Sequence, residues 1–194
     1  MYIAIEGIDT AGKSTQIENL SKLFPDAIIT KEPGATKAGS QIRDIVLSAS
    51  TESKKAEFLL FLADRAEHIK EIIEPNLDKM IISDRSAISG VAYALVQNEI
   101  DDLEIIMLNN FATNKIYPQK VFLLKLTKEE LEYRLSQKKL DGIELRGSEY
   151  LMSIQNSIQL AAKLLNIELI EIDATKDIKT ITDKILNNIK ENND

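Results

Sequence analysis

Short apolar runs alternate along this chain with longer stretches whose apolar residues recur every three or four positions. The runs at 2–5, 27–30, 80–83, 121–126 and 168–172 are four to six residues long. That length suits buried strands and is too short for free-standing helices. Between them, Ile17, Leu20 and Leu23 mark a helical stripe over 16–23, and Ile42, Ile45 and Val46 mark another over 38–47. A longer pattern over 53–74 carries Phe58, Phe61, Leu62, Ile69, Ile72 and Ile73. Helical spacing returns at 88–96, 103–111, 128–135, 149–165 and 178–189. Pro25 and Pro75 punctuate the pattern because proline cannot continue a helix interior. Strands alternating with helices predict an α/β fold, a parallel sheet covered by helices on both faces. Ligands in such sheets bind beyond the carboxyl ends of the strands. The loops after the first four strands are therefore the places to look for chemistry.

The first of those loops is the most informative. After strand 2–5 comes Glu6-Gly7-Ile8-Asp9-Thr10-Ala11-Gly12-Lys13-Ser14-Thr15, and a helix opens near Ser14. Gly-x-x-x-x-Gly-Lys-Ser between a strand and a helix is the phosphate-cradling P-loop in its required setting. The glycines let successive backbone N–H groups converge on an anion, and the helix N-terminus adds the positive end of its dipole. Lys13 is placed for the β- and γ-phosphates, and the Ser14 hydroxyl for Mg²⁺. The expected ligand is a nucleoside triphosphate.

Composition narrows the setting. The 194 residues suffice for a full hydrophobic core and predict one domain. There is no cysteine, which excludes disulfides and thiolate metal sites, and the lone His68 gives no basis for a His-built one. No apolar run approaches the roughly 20 residues needed to span a bilayer. Glu6 and Asp9 interrupt the N-terminal region where a signal peptide would be apolar, so the expected location is the cytoplasm. The net charge of −7 argues against a nucleic-acid surface. An acidic protein that binds polyphosphate must gather its cations locally, which makes each of the five arginines informative.

A P-loop serves switches, motors and kinases alike. A guanine-specific switch wants Asn-Lys-x-Asp after the fourth strand. The chain has Asn114-Lys115-Ile116-Tyr117 before that strand and without the aspartate, which disfavours a switch. A kinase must hold a second substrate opposite the γ-phosphate. Phe61 and Arg65, at i and i+4, share one helix face. They suit stacking and edge recognition of a nucleobase, but taken alone the pair fits better a core ring beside a solvated helix end. Arg43 and Arg85 follow strands two and three, where a pair of guanidinium groups can clamp an acceptor phosphate.

Gly7–Thr15, Lys31-Glu32-Pro33-Gly34, Ser40-Gln41-Ile42-Arg43, Phe61-x-x-x-Arg65, Asp84-Arg85, Arg134 and Ile172-Asp173-Ala174-Thr175 stand in the order and spacing of bacterial thymidylate kinases, which the chain resembles over nearly its whole length. The resemblance implies the nucleoside-monophosphate-kinase-like fold, with a central five-stranded parallel sheet and a lid at about 137–147. It implies ATP and dTMP as substrates, Mg²⁺ as cofactor and a homodimer. By resemblance, Gly7 to Thr15 hold the ATP phosphates, Arg134 lies against adenine, and Asp173, Ala174 and Thr175 border it. Phe61 stacks on thymine and Arg65 meets its edge. Arg43 and Arg85 hold the monophosphate, and Glu32, Pro33 and Gly90 line its site. Asp9 meets the sugar 3′-hydroxyl, Tyr93 crowds the 2′ position, and Asp84 joins Ser14 in the Mg²⁺ shell. Thr10 is uncharged, so the extra cation for the transferred group is expected from the lid, among Lys138, Lys139 and Arg146. The chain departs from the family's usual residues at Ala35, Ser86, Gly90 and Ala94, positions that bear on base recognition rather than on phosphoryl transfer.

The expected reaction is transfer from Mg·ATP to a phosphate monoester. Such an acceptor is mostly dianionic at pH 7 and needs no general base. Alignment and charge neutralisation then carry the catalysis. Two alternatives stand beside it. A deoxynucleoside kinase would act on a neutral 5′-hydroxyl and need a base such as Glu32, but would leave Arg43 without a purpose. A non-catalytic nucleotide-binding partner protein is opposed by the intact Lys13, Ser14 and Asp84.

Overall fold

The computed structural model describes residues 1–48, 51–138 and 144–190. Its strands are β1 (Tyr2–Glu6), β2 (Ile28–Lys31), β3 (Ile81–Asp84), β4 (Lys120–Lys125) and β5 (Glu168–Asp173). They form one sheet in the order β2-β3-β1-β4-β5, with every pairing parallel. The central strand β1 is buried at all five residues, as a strand covered on both faces must be. Ile3, Ile5, Ile82, Phe122 and Leu123 form the middle of the core.

The helices are α1 (Lys13–Leu23), α2 (Lys37–Leu47), α3 (Lys54–His68), α4 (Ala87–Gln97), α5 (Asp102–Thr113), α6 (Lys128–Ser136), α7 (Ser148–Leu164) and α8 (Ile178–Lys190). Helix α1 packs on β1, β3 and α8, while α4 packs against α3, α5 and α7. Several helices start where a side chain satisfies an orphan N–H. The Ser53 hydroxyl accepts from Ala56 N, Thr36 from Gly39 N, and Thr127 from Glu130 N.

The periodic stretch at 53–74 is not one regular helix. After His68 the chain winds as a π-helix over Ile69–Ile73 and as a 3₁₀ turn over Glu74–Asn76, where Pro75 sits. Ile69 and Ile73 thereby pack with Tyr2 and Ile81 in a small cluster of their own. Widening of a helix by one residue per turn is rare and recurs near functional sites. Here it lies directly beside the buried His68.

Sheet order decides where the loops meet. With β1 flanked by β3 and β4, the loop after β1 lies between the chain leaving β3 and the chain leaving β4. Pairing of Ile5 and Lys31 with Asp84 brings the ends of β1, β2 and β3 level.

Candidate functional site

The P-loop runs from Gly7 to Gly12 and delivers Lys13 as the first residue of α1. Gly12 and Thr10 both adopt left-handed backbone, φ 94° and 70°, which curls the loop. The Lys13 ammonium donates to the carbonyls of Gly7 (3.0 Å) and Ile8 (3.1 Å) and lies 3.8 Å from Asp9. Burial, together with repulsion from Arg85, lowers its pKa to about 8.

A cavity of about 450 Å³ opens in front of this loop, with Asp9, Lys13, Ser14, Arg43, Asp84 and Arg85 among its lining residues. A second, of about 180 Å³, is lined by Phe61, Arg65, Gly90, Tyr93 and Arg146 among others. The two share Asp9, Glu32, Arg43 and Arg85. A ligand filling both would place its anionic middle between the two shared guanidinium groups.

Each arginine is aimed by its surroundings. Arg43 Nη1 donates to the Pro33 carbonyl at 2.9 Å. Arg85, directly after β3, takes a left-handed φ of 66°. That conformation is costly for a side chain with a Cβ and clusters at functional sites. Its Nη2 meets Asp9 Oδ1 at 2.7 Å and its Nη1 the Ser89 hydroxyl at 3.1 Å. Ser89 in turn donates to Glu6, a fully buried carboxylate at the end of β1 that also accepts from the Ser86 hydroxyl at 2.9 Å. Burial raises the Glu6 pKa against the pull of Arg85 and these hydroxyls. Ser86 also caps α4 by accepting from Ile88 N, which gives a local reason for a small hydroxyl side chain there.

Arg65 is not a solvated helix end. It is 2% exposed, donates from Nε to Glu32 Oε2 (2.9 Å) and from Nη1 to Asn109 Oδ1 (2.8 Å), and lines the second cavity beside Phe61. Glu32 therefore reaches the cavities with both carboxylate oxygens committed, the other one facing His68 Nδ1 at 2.8 Å. Burial alone would raise its pKa, but the Arg65 guanidinium and His68 hold it below the usual carboxylate value. A carboxylate so engaged is a poor general base, which removes the group that a 5′-hydroxyl kinase would need.

On the opposite side Arg134 ties three elements together. Its Nη1 donates to the Thr10 carbonyl (2.9 Å), Nη2 to the Ala174 carbonyl (2.8 Å), and Nε to Glu130 (2.7 Å). Asp173 accepts from the backbone and hydroxyl of Thr175, which shapes the turn after β5. These residues flank the P-loop and are not part of the cavity wall.

The lid candidates part company. Lys138 lines the P-loop cavity and pairs with Glu144 at 2.7 Å. Arg146 lines the second cavity, lies 5.2 Å over the Tyr150 ring and donates to its hydroxyl. Lys139 lies outside the described residues, as do residues 139–143 of the lid expected at about 137–147.

A metal can be accommodated. Asp84 Oδ1 is buried with no hydrogen-bond partner among the described residues, and Asp84 and Ser14 both line the cavity in front of Lys13. An unsatisfied buried carboxylate oxygen on the same cavity wall as a P-loop hydroxyl fits Mg²⁺, which takes one or two protein oxygens and completes its shell with phosphates and water. The described residues contain no cluster of three or more His, Cys, Asp or Glu ligands, and such a phosphate-borne metal requires none. Among them, too, no helix is long and apolar enough to cross a membrane.

Sequence reasoning passed over Glu6, Ser89, Asn109 and Glu144. Glu6 carried a signal, a carboxylate interrupting an otherwise apolar strand. Asn109, inside an amphipathic helical pattern, carried none.

A parallel five-stranded sheet, a P-loop at its central strand and two cavities sharing an arginine pair define a P-loop kinase of the nucleoside monophosphate class. Residues 5–185 match the family model for thymidylate kinase, and the chain belongs to that family. It is similar to the thymidylate kinase of Sulfurimonas denitrificans, with 72% identity over 189 residues covering 97% of this chain and 99% of that protein. The thymidylate kinase of Aliarcobacter butzleri is 55% identical over 185 residues, 95% of this chain and 96% of that one. The crystal structure of thymidylate kinase from Ehrlichia chaffeensis superposes with a TM-score of 0.73 at 27% identity, covering 98% of both chains.

Proposed function

We propose that the protein transfers the γ-phosphoryl group of Mg·ATP to the phosphate of dTMP, making dTDP for dTTP synthesis in the cytoplasm. The observation that carries this reading is the pair Arg43 and Arg85 on the wall common to both cavities. Fixed cations there have a purpose only if both substrates bring phosphate.

In this reading the donor phosphates lie on the P-loop N–H groups and Lys13, and Arg134 with the 173–175 turn borders adenine. Ser14 and Asp84 hold Mg²⁺, which offsets charge on the β- and γ-phosphates. Thymine stacks on Phe61 with its edge toward Arg65 and Gly90, against the Glu32-Pro33 turn, and Asp9 and Tyr93 face the sugar. The acceptor monophosphate sits between Arg43 and Arg85, which neutralise the repulsion between the two anions and align them. Lys138, on the P-loop side, is the described lid cation best placed for the transferred group. Lid closure excludes water and suppresses plain ATP hydrolysis.

The reading includes a homodimer. Leu103, Met107 and Phe111 recur every four residues on α5 and are 70%, 70% and 83% exposed. Leu59 on the neighbouring α3 is 55% exposed. A continuous apolar stripe of this kind suits a self-complementary two-fold interface.

A coupled ADP-release assay across nucleosides and monophosphates tests the function. Turnover with dTMP, none with thymidine and its loss in Lys13→Ala are expected. Preferential phosphorylation of thymidine would overturn the reading.

A further inference from the structure

Asn109 projects from the buried side of α5 and is fully inaccessible to solvent. Its Nδ2 donates to the Ile105 carbonyl at 2.7 Å, one turn back in the same helix. A carbonyl can only accept, so this bond fixes the amide's orientation and turns Oδ1 toward Arg65. Arg65 Nη1 donates to that oxygen at 2.8 Å, and its Nε to Glu32 at 2.9 Å. Glu32 is itself fixed by His68, whose far nitrogen lies 2.7 Å from the Thr30 hydroxyl. The guanidinium is thus held on two edges by groups from β2's following turn and from α5.

Its remaining terminal nitrogen, Nη2, has no partner among the described residues. Beside it lies Gly90 of α4, where an added Cβ would come within 2.6 Å of Nη2 and 3.1 Å of Nη1. That is closer than real Cβ contacts come, so a side chain at 90 would displace the guanidinium. Gly90 and Arg65 both line the cavity that contains Phe61. Nη2 is therefore the guanidinium nitrogen without a partner beside that cavity, the group being held from two sides by Glu32 and Asn109 and given room by Gly90.

We propose that Asn109 is a positioning residue for base selection. Acting through Arg65, with Gly90 leaving the space, it holds the guanidinium so that Nη2 is free to read the base. A nitrogen that can only donate accepts a pyrimidine with a carbonyl at that edge and rejects one with an amino group. Asn109 touches no substrate; it determines where Arg65 points. The inference rests on the second cavity being the dTMP site.

The test uses the full-length protein, with kinetics for dTMP and ATP, calorimetric binding of dTMP and dCMP, and thermal melts. Wild type is measured first. Failure to turn over dTMP there would overturn the functional reading, and this inference with it. Given wild-type turnover, Asn109→Leu is expected to raise KM for dTMP about tenfold or more, the loss of one charge-assisted hydrogen bond. KM for ATP should stay within about twofold, and the dTMP-over-dCMP affinity ratio should fall about tenfold. Gly90→Ala, which presses on the guanidinium from the other side, should reproduce the selective loss if Asn109→Leu does not fold. Equal rises in both KM values or an unchanged dTMP-over-dCMP ratio would overturn the proposal.

Discussion

Glu32→Gln isolates the charge at the centre of the acceptor side. The two residues have nearly the same shape. The amide oxygen can accept from Arg65 Nε, and its nitrogen can donate to His68 Nδ1 once the ring proton sits toward Thr30. Hydrogen-bond count is kept and only the negative charge is lost. Glu32 and Arg65 are 6% and 2% exposed, with 2.9 Å between Oε2 and Nε. Two unit charges about 4 Å apart at an effective dielectric constant of about 20 attract by about 4 kcal/mol. Breaking a buried pair by removing one partner costs about 3–5 kcal/mol, because the other charge is stranded. For a chain of this length that corresponds to a Tm lower by about 10 °C. Because folding depresses the Glu32 pKa from 4.5, its contribution is fully present above that pH. The contribution is lost as pH falls through the folded-state value. The stability gap between wild type and Glu32→Gln should therefore be widest near neutrality and close in acid below about pH 4.5. Urea unfolding at a series of pH values measures it, and Arg65→Met with the double variant completes a thermodynamic cycle. A gap below about 1 kcal/mol, or one that stays constant from neutrality into acid, would refute the ion-pair argument.

Three further outcomes are expected. Arg43→Ala should weaken dTMP binding by about tenfold to a hundredfold while leaving ATP nearly untouched, since loss of a charge-assisted bond is worth about 1.5–3 kcal/mol; equal loss for both ligands in calorimetric titrations would contradict it. Ser89→Ala takes a hydroxyl from between Glu6 and Arg85, so kcat/KM for dTMP should drop about tenfold and stability by about 1–2 kcal/mol. Unchanged kinetics with a lowered Tm would make Ser89 purely structural. Phe111→Asp places a charge in the apolar stripe on α5 and should shift the protein from dimer to monomer in sedimentation analysis; a wild type that sediments as a monomer would dismiss that interface.

Much of this molecule was legible in one dimension because the information was local. The P-loop is a strand, a turn and a helix start within fourteen residues, and its chemistry follows from neighbours in sequence. The five strands could be read from short apolar runs, and parallel pairing followed from their alternation with helices. Helical spacing also put Phe61 and Arg65 on one face, yet it left open whether that face met solvent or ligand. Only the folded chain settled that Arg65 is buried, since Glu32 and Asn109 reach it from 33 and 44 residues away. The Glu6–Ser86 contact spans 80 residues and depends on β1 lying beside β3. Likewise Lys138 and Arg146, near neighbours in a basic segment, line different cavities. The physical reason is one of range. Backbone torsions and periodicity act over a few residues, whereas the orientation of a buried charge is decided by whichever distant group the sheet order carries to it.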